Sequence, residues 1–222
     1  MALAQEINDQ RNYAQCCDIL GLIAARQGEY PAALARYDEE LALHRALGSA
    51  PEEGSTLVNK ANVLLMNEDF AGAQALLQLA QETAERLNAQ RLKVEVLNAL
   101  AEAALGTGEL ARAAQLADEA MRLSTAIGSR HETGVAHRLL GRVQAARGKN
   151  FEQHFRSSVE VFEQTSDQFE LGRSWAAYGA ALLKHGNVSS GEAYLKRAKD
   201  TFISIGANGE LERLRSIAER NR

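Results

Sequence analysis

No apolar run in the 222-residue chain approaches the ~20 residues a bilayer-spanning helix needs, so a membrane-spanning role is excluded at the sequence level. No charged-then-apolar leader opens the chain, and the expected location is cytoplasmic. Excess positive charge is also missing. The net charge is −4, which gives no general pull toward nucleic acid or anionic lipid. There are only two cysteines, Cys16 and Cys17, adjacent inside a helical pattern. Neighbours in a helix point about 100° apart, a poor geometry for a disulfide, so they read as one buried and one more exposed thiol. Signatures of chemistry are absent too: there is no glycine-rich phosphate loop, no paired-cysteine motif and no His-Glu-x-x-His. His131 and His137 are six apart and do not share a helix face at metal-ligand spacing. The chain is therefore expected to be non-enzymatic and to carry no cofactor or metal.

A period is present instead. Gly21, Ala61, Ala101, Gly141 and Gly179 recur at spacings of 40, 40, 40 and 38. A small residue returning at a fixed interval marks one structural unit copied along the chain. In the third unit Leu97, Leu100, Ala101 and Ala104 recur at three- and four-residue intervals, one face of a helix. Gly108 ends that helix, and Ala113, Ala117 and Ala120 form the stripe of a second, closed by Gly128. Unit one repeats this grammar with Cys17, Leu20, Gly21, Ala24, Gly28, Ala33 and Tyr37, and unit five with Trp175, Tyr178, Gly179, Leu182, Gly186, Leu195 and Ala198. Turns between units fall at Gly48, Asn88, Gly128, Ser166 and Gly206. Ser49 with Glu52, and Ser129 with Glu132, read as capping boxes, and Pro31 sits in a first helical turn.

These residues resemble the tetratricopeptide repeat, whose pattern runs Trp, Leu-Gly, Tyr, then Gly-x-Tyr, Ala, Phe and Ala. Trp175, Tyr178-Gly179, Leu182, Gly186 and Ala198 fit it, as do Leu20-Gly21, Gly28, Tyr30, Ala33 and Tyr37. The unit is longer than the family's usual one. It is similar to the 40-residue variety of bacterial signalling ATPases, transcription activators and cyclases, and of kinesin light chains. The resemblance implies an all-α, right-handed superhelix of five stacked antiparallel helix pairs with a C-terminal capping helix, stabilised by stacking of each pair on its neighbours. The expected units are 10–49, 50–89, 90–129, 130–167 and 168–207, with 208–222 as the cap. Residues 1–9, with Leu3 and Ile7, read as the tail of an incomplete preceding unit, whose open end would favour a homodimer.

Unit four departs from the pattern. Gly148 to Ser166 spans 18 residues where Gly108 to Gly128 spans 20. Two residues lost inside a helix would rotate everything downstream by about 200°. Aligning Phe151, Phe155 and Ser158 with the buried stripe puts the loss in the turn near Asn150 instead. His137 and Gln144 replace apolar residues on that unit's first helix, and Lys60 stands where leucine is expected.

In such a superhelix the first helix of each pair faces the concave side. Inward positions include Asn62, Leu65, Met66, Asn98, Glu102, Leu105, Arg138 and Arg142, with Arg173 one turn earlier on its helix. Asn62 and Asn98 can each pair with a peptide backbone through donor and acceptor. Arg138, Arg142 and Arg173 could clamp a carboxylate or phosphate by bidentate bonds, with Leu65, Met66 and Leu105 giving apolar contact. The competing reading is an ion-pair ladder in which Glu95 and Glu102 neutralise the arginines. The resemblance implies an interaction module that receives a peptide or protein segment in its groove, as the sensor or scaffold arm of a larger signalling regulator. A self-associating structural solenoid and a sensor of a small anionic metabolite remain as alternatives.

Overall fold

The structure, a computed structural model, describes residues 9–220. Leu3 and Ile7 of the expected N-terminal tail lie outside the described residues. Among the described residues eleven helices follow one another: α1 (Gln10–Gln27), α2 (Tyr30–Leu47), α3 (Ala50–Met66), α4 (Phe70–Arg86), α5 (Gln90–Gly106), α6 (Leu110–Ala126), α7 (Arg130–Ala146), α8 (Glu152–Thr165), α9 (Gln168–Lys184), α10 (Val188–Ser204) and α11 (Asn208–Arg220). No strand occurs among the described residues.

The punctuation between helices is a backbone device. Gly28, Gly48, Glu68, Asn88, Gly108, Gly128, Gly148, Ser166, Gly186 and Gly206 all take positive φ. They stand 20 residues apart, except for 18 between Gly148 and Ser166. At each, the chain folds back on the last turn. The Gly28 and Glu29 amides donate to the carbonyls of Ala25 and Ala24 at 3.1 and 2.9 Å, satisfying acceptors the helix would leave orphaned. Helix starts are capped by Asp69, Asp167 and Asn187, whose side chains accept from the amides of Gly72, Glu170 and Ser190. The expected capping boxes are not formed, because neither Ser49 nor Ser129 makes a side-chain cap bond. Glu132 turns away from its own helix start to accept from Asn98 Nδ2 at 2.7 Å.

Consecutive helices pack in antiparallel pairs, α1–α2 through α9–α10, and each pair stacks on the next. The first helices of neighbouring pairs also touch directly, α3 on α5, α5 on α7 and α7 on α9, which makes them the inner layer. The second helices present the stripe Ala73, Leu77 and Ala80 in α4, and Ala113, Ala117 and Ala120 in α6, all buried. Residue size is matched across each pair. Where the inner helix carries glycine, a ring can fill the space: a Cβ on Gly21 would come within 2.9 Å of Tyr37, and one on Gly141 within 3.0 Å of Phe155. Gly179 instead lies against backbone, where a Cβ would stand 2.8 Å from the Gly191 carbonyl oxygen.

Unit four keeps its stripe. Phe151, Phe155 and Phe162 are buried along with Ser158. They stand at the same distances before Ser166 as Ala113, Ala117, Ala120 and Ser124 do before Gly128. The missing residues come out of the turn and the first turn of α8, which has 14 residues against 17 in α6. His137 meets His154 at 3.2 Å, in the place where unit three packs Leu97 against Leu116. Lys60 runs its stem between helices and pairs with Asp38 of α2. Trp175 is partly buried, packed against the Phe169–Phe202–Leu214 cluster.

Candidate ligand-binding cavity

The inner helices line a partly open cavity of mixed polar and apolar character in two lobes of about 630 and 610 Å³. Leu65, Glu102, Arg138, Arg173 and Arg213 belong to the walls of both. The first lobe adds Asn62, Met66, Asn98, Glu95 and Glu170, and the second adds Leu105, Arg142, Lys184 and Glu210. All nine residues expected to line the groove thus face one cavity or the other. Their availability differs.

Asn62 is exposed, and Met66 and Leu105 are half-buried. Leu65 is 4% exposed and belongs mainly to the core with Ala61, Ala73 and Leu77. Asn98 is 4% exposed, and its amide is already spent on Glu132, donating to the backbone oxygen at 3.2 Å as well as to the carboxylate. Its Oδ1 is buried with no hydrogen-bond partner. One asparagine is free to meet a peptide, and the other stitches α5 to α7.

The arginines separate in the same way. Arg138 is 2% exposed and its guanidinium forms an ion pair with the Glu170 carboxylate at 2.5 Å, while donating to Ser174 Oγ at 3.4 Å. Arg142 donates to Glu102 at 2.5 Å while a third of its side chain stays accessible. Arg173 reaches Glu170 at 3.2 Å and Glu210 of α11 at 3.5 Å. Burial would raise the Glu102 carboxyl, but the guanidinium of Arg142, then those of Arg173 and Arg138, hold it down to about 2. Glu170 follows the same pattern: burial is outweighed by Arg138 and Arg173, and it too is held at about 2. Arg173 moves up despite burial, because Glu170 and Glu210 favour its charge. Glu95 stands apart from these arginines. It faces Arg91 at 3.6 Å, and burial together with the neighbouring Glu132 pushes it up to about 7. The ladder reading therefore holds for Glu102, not for Glu95.

Glu170 was missed from sequence, as were Glu210, Arg213 and Phe169. A signal for the acids was available. Glu52, Glu132, Glu170 and Glu210 are each the third residue of an inner helix or of the cap, at intervals that follow the repeat. Two of them clamp the previous inner helix in the same way, Glu132 on Asn98 and Glu170 on Arg138. Arg26 of α1 stands 4.5 Å over the Phe169 ring of α9, reaching from the first unit to the fifth.

Among the described residues no cluster of three or more His, Cys, Asp or Glu could hold a metal ion. No described helix is long and apolar enough to cross a membrane.

No protein-family model matches the chain, and no curated protein matches it. Among solved structures it is similar to BtubC (BKLC) from P. vanneervenii, at 17% identity and a TM-score of 0.58, over 85% of this chain and 87% of that one. At that identity the likeness carries the architecture alone, an all-helical repeat fold.

Proposed function

We propose that the chain is a non-enzymatic interaction module of the tetratricopeptide type that receives a short peptide segment bearing a carboxylate in its inner cavity. In this reading it serves in the cytoplasm as the sensor or scaffold arm of a larger regulator. The observation that carries it is the cavity wall. Each lobe falls within the ~300–1,000 Å³ typical of ligand sites, and Asn62, Arg142 and Lys184 offer donors there that burial has not sequestered. An exposed amide gives a backbone-pairing group, and the two cations give a carboxylate its counter-charge. Arg138 is a structural ion pair in this reading, and a ligand does not need it.

The test is calorimetry with a panel of short peptides, each made with a free and an amidated C-terminus, against wild type, Asn62→Ala and Arg142→Gln. Free-acid peptides should bind wild type at least about tenfold tighter than their amidated forms, and both variants should weaken them. Should no peptide in the panel bind wild type at millimolar concentration, the reading fails.

One observation favours self-association as a second reading. On α1, Ile19, Leu20 and Ile23 are 50%, 38% and 46% exposed, a cluster of the kind that marks contact surfaces. Light scattering from micromolar to millimolar protein tests it: a constant monomer mass removes this reading and leaves the first untouched.

A further inference from the structure

The two ends of the helical row meet. As a cap would, α11 packs on α10 and α9, but it also packs on α1. The contact is backbone on backbone: a Cβ added to Gly28 would lie 3.1 Å from the Gly209 Cα, and one on Gly209 would lie 3.0 Å from the Gly28 Cα. Two further contacts join the ends across the groove. Arg26 of α1 lies over Phe169 of α9, and Met66 of α3 packs against both the Tyr37–Val63 and the Phe202–Leu214 clusters. The two ends of the described row are thus in contact, and α11 is the part of that contact that comes from the C-terminal side.

Glu210 holds α11 in place from the inside. Its side chain is 7% exposed, with the carboxylate 3.5 Å from Arg173 Nε and 3.4 Å from Arg213. By position it is the next acid in the series of Glu132 and Glu170, but it is the weak member. Those two make contacts of 2.7 and 2.5 Å to partners that are almost wholly buried. Glu210 makes long contacts, beyond the ~2.7–2.9 Å of good charge-assisted bonds, to arginines whose side chains are 21% and 34% exposed. Its surroundings in the second lobe are cation-rich, with Arg138, Arg142, Arg173, Lys184 and Arg213 against Glu68, Glu102 and Glu210.

We propose that Glu210 is a built-in occupant of the anion position: a ligand carboxylate or phosphate replaces it on Arg173, breaks the ion pair that ties α11 to α9, and so loosens α11 against α1. The inference rests on the cavity being a ligand site and adds what that site regulates, the closure of the ring. An incoming anion can supply the bidentate geometry that Glu210, tied to its own helix, does not reach. The guanidiniums keep a counter-charge throughout, so no buried cation is left stranded, and the ion-pair term of the closure is lost. Ligand occupancy and a closed seam then oppose one another, and each weakens the other by the same factor.

The experiment follows amide hydrogen exchange across 24–28 and 208–217, with the small-angle scattering radius, in wild type, Glu210→Gln and Arg213→Gln. Each is measured alone, with succinate and with inorganic phosphate, the two arms separating carboxylate from phosphate recognition. Gly209→Leu, which forces the seam apart sterically, sets the size of the open signal. Without anion, Glu210→Gln should exchange at least about tenfold faster in α11 than wild type and show a larger radius, with Arg213→Gln, whose pair is internal to α11, staying close to wild type. Wild type should reach the same state when an anion is added, and Glu210→Gln should bind that anion tighter and open no further. Unchanged α11 protection in Glu210→Gln, or equal loosening in Arg213→Gln, overturns the proposal, as does an anion that protects α11 or one that fails to bind. Peptide binding with an unmoved seam would refute the displacement and leave the proposed peptide-binding function standing.

Discussion

Replacing Arg138 by methionine removes the guanidinium that meets Glu170 at 2.5 Å while keeping much of its buried stem. Breaking a buried pair from one side costs about 3–5 kcal/mol, because the remaining charge is stranded. Glu170 would keep Arg173 at 3.2 Å, so the loss falls at the lower end, about 3 kcal/mol. The converse change, Glu170→Leu, is harsher. It leaves Arg138 with Ser174 Oγ at 3.4 Å and the backbone oxygen of residue 170 at 3.5 Å, and should cost about 4–5 kcal/mol. With both charges gone, the double variant should return to within about 1 kcal/mol of wild type. Acid titration gives an independent measure. Glu170 is held at about 2 against an ordinary 4.5, a depressed folded pKa. Its contribution is therefore fully present above 4.5 and lost as pH falls through 2. A gap of that size corresponds to about 3 kcal/mol, in line with the mutational figure. Urea unfolding of the four proteins at pH 7, and of wild type and double variant from pH 5 to 2, measures both. Additive single losses, or an acid limb of equal steepness in the double variant, would refute the reasoning.

Three further outcomes can be checked cheaply. His137 and His154 are both held below the ordinary imidazole range, first by burial, with Asp118 the acidic group nearest His154. Their contribution is present above pH 6.5 and lost below it, so replacing both with leucine should raise the melting temperature at pH 5.5 more than at pH 8; equal shifts would mean the pair does not titrate against folding. Gly179→Val drives a side chain into the Gly191 carbonyl and should cost about 1–3 kcal/mol or more in urea unfolding, whereas a neutral result would show that α9 and α10 can separate freely. Cys17 is buried, which with the nearby Glu39 pushes its thiol up to about 11, while Cys16 is half-buried. A thiol reagent should therefore titrate one group in the native protein and the second only on unfolding, and two equally fast reactions would contradict the packing.

The helical repeat was legible because its determinants are local. A small residue at the crossing point and a left-handed residue at each turn leave their mark at fixed spacing, and Phe151, Phe155 and Ser158 announced where the two lost residues had to go. What escaped the sequence was contact between units. Ser129 and Glu132 had the spacing of a capping box, but Asn98, 34 positions earlier, competes for the same carboxylate and wins because it is buried with it. Arg138 and Arg142 share a face and were read as equivalent, yet Glu170 meets only one of them, since the offset between stacked units decides which arginine faces an acid. Closure of the ring was hidden for a further reason. It depends on the rotation accumulated over five units, and no single unit encodes it.

That closure changes where a ligand must act. In an open groove every inward arginine would be a candidate, and Arg138 would come first because it sits deepest. In the closed ring, depth is what removes it. Its charge is already balanced at 2.5 Å, and a ligand taking it would leave Glu170 buried with only Arg173 at 3.2 Å, a penalty of the size worked out above for one-sided loss. Lys184 carries no such penalty, and Arg142, though paired to Glu102 at 2.5 Å, keeps a third of its side chain accessible for a ligand to meet without breaking that pair. Arg173 and Arg213 are held more loosely than Arg142: Arg173 reaches Glu170 at 3.2 Å and Glu210 at 3.5 Å, and Arg213 reaches Glu210 at 3.4 Å. Affinity should therefore follow how weakly each cation is already held. Glutamine substitutions should weaken an anion in the order Arg173, then Arg142, then Arg138, the reverse of their unfolding cost. Titrating one anion against the three folded variants would establish the order, and a strongest effect at Arg138 would overturn it.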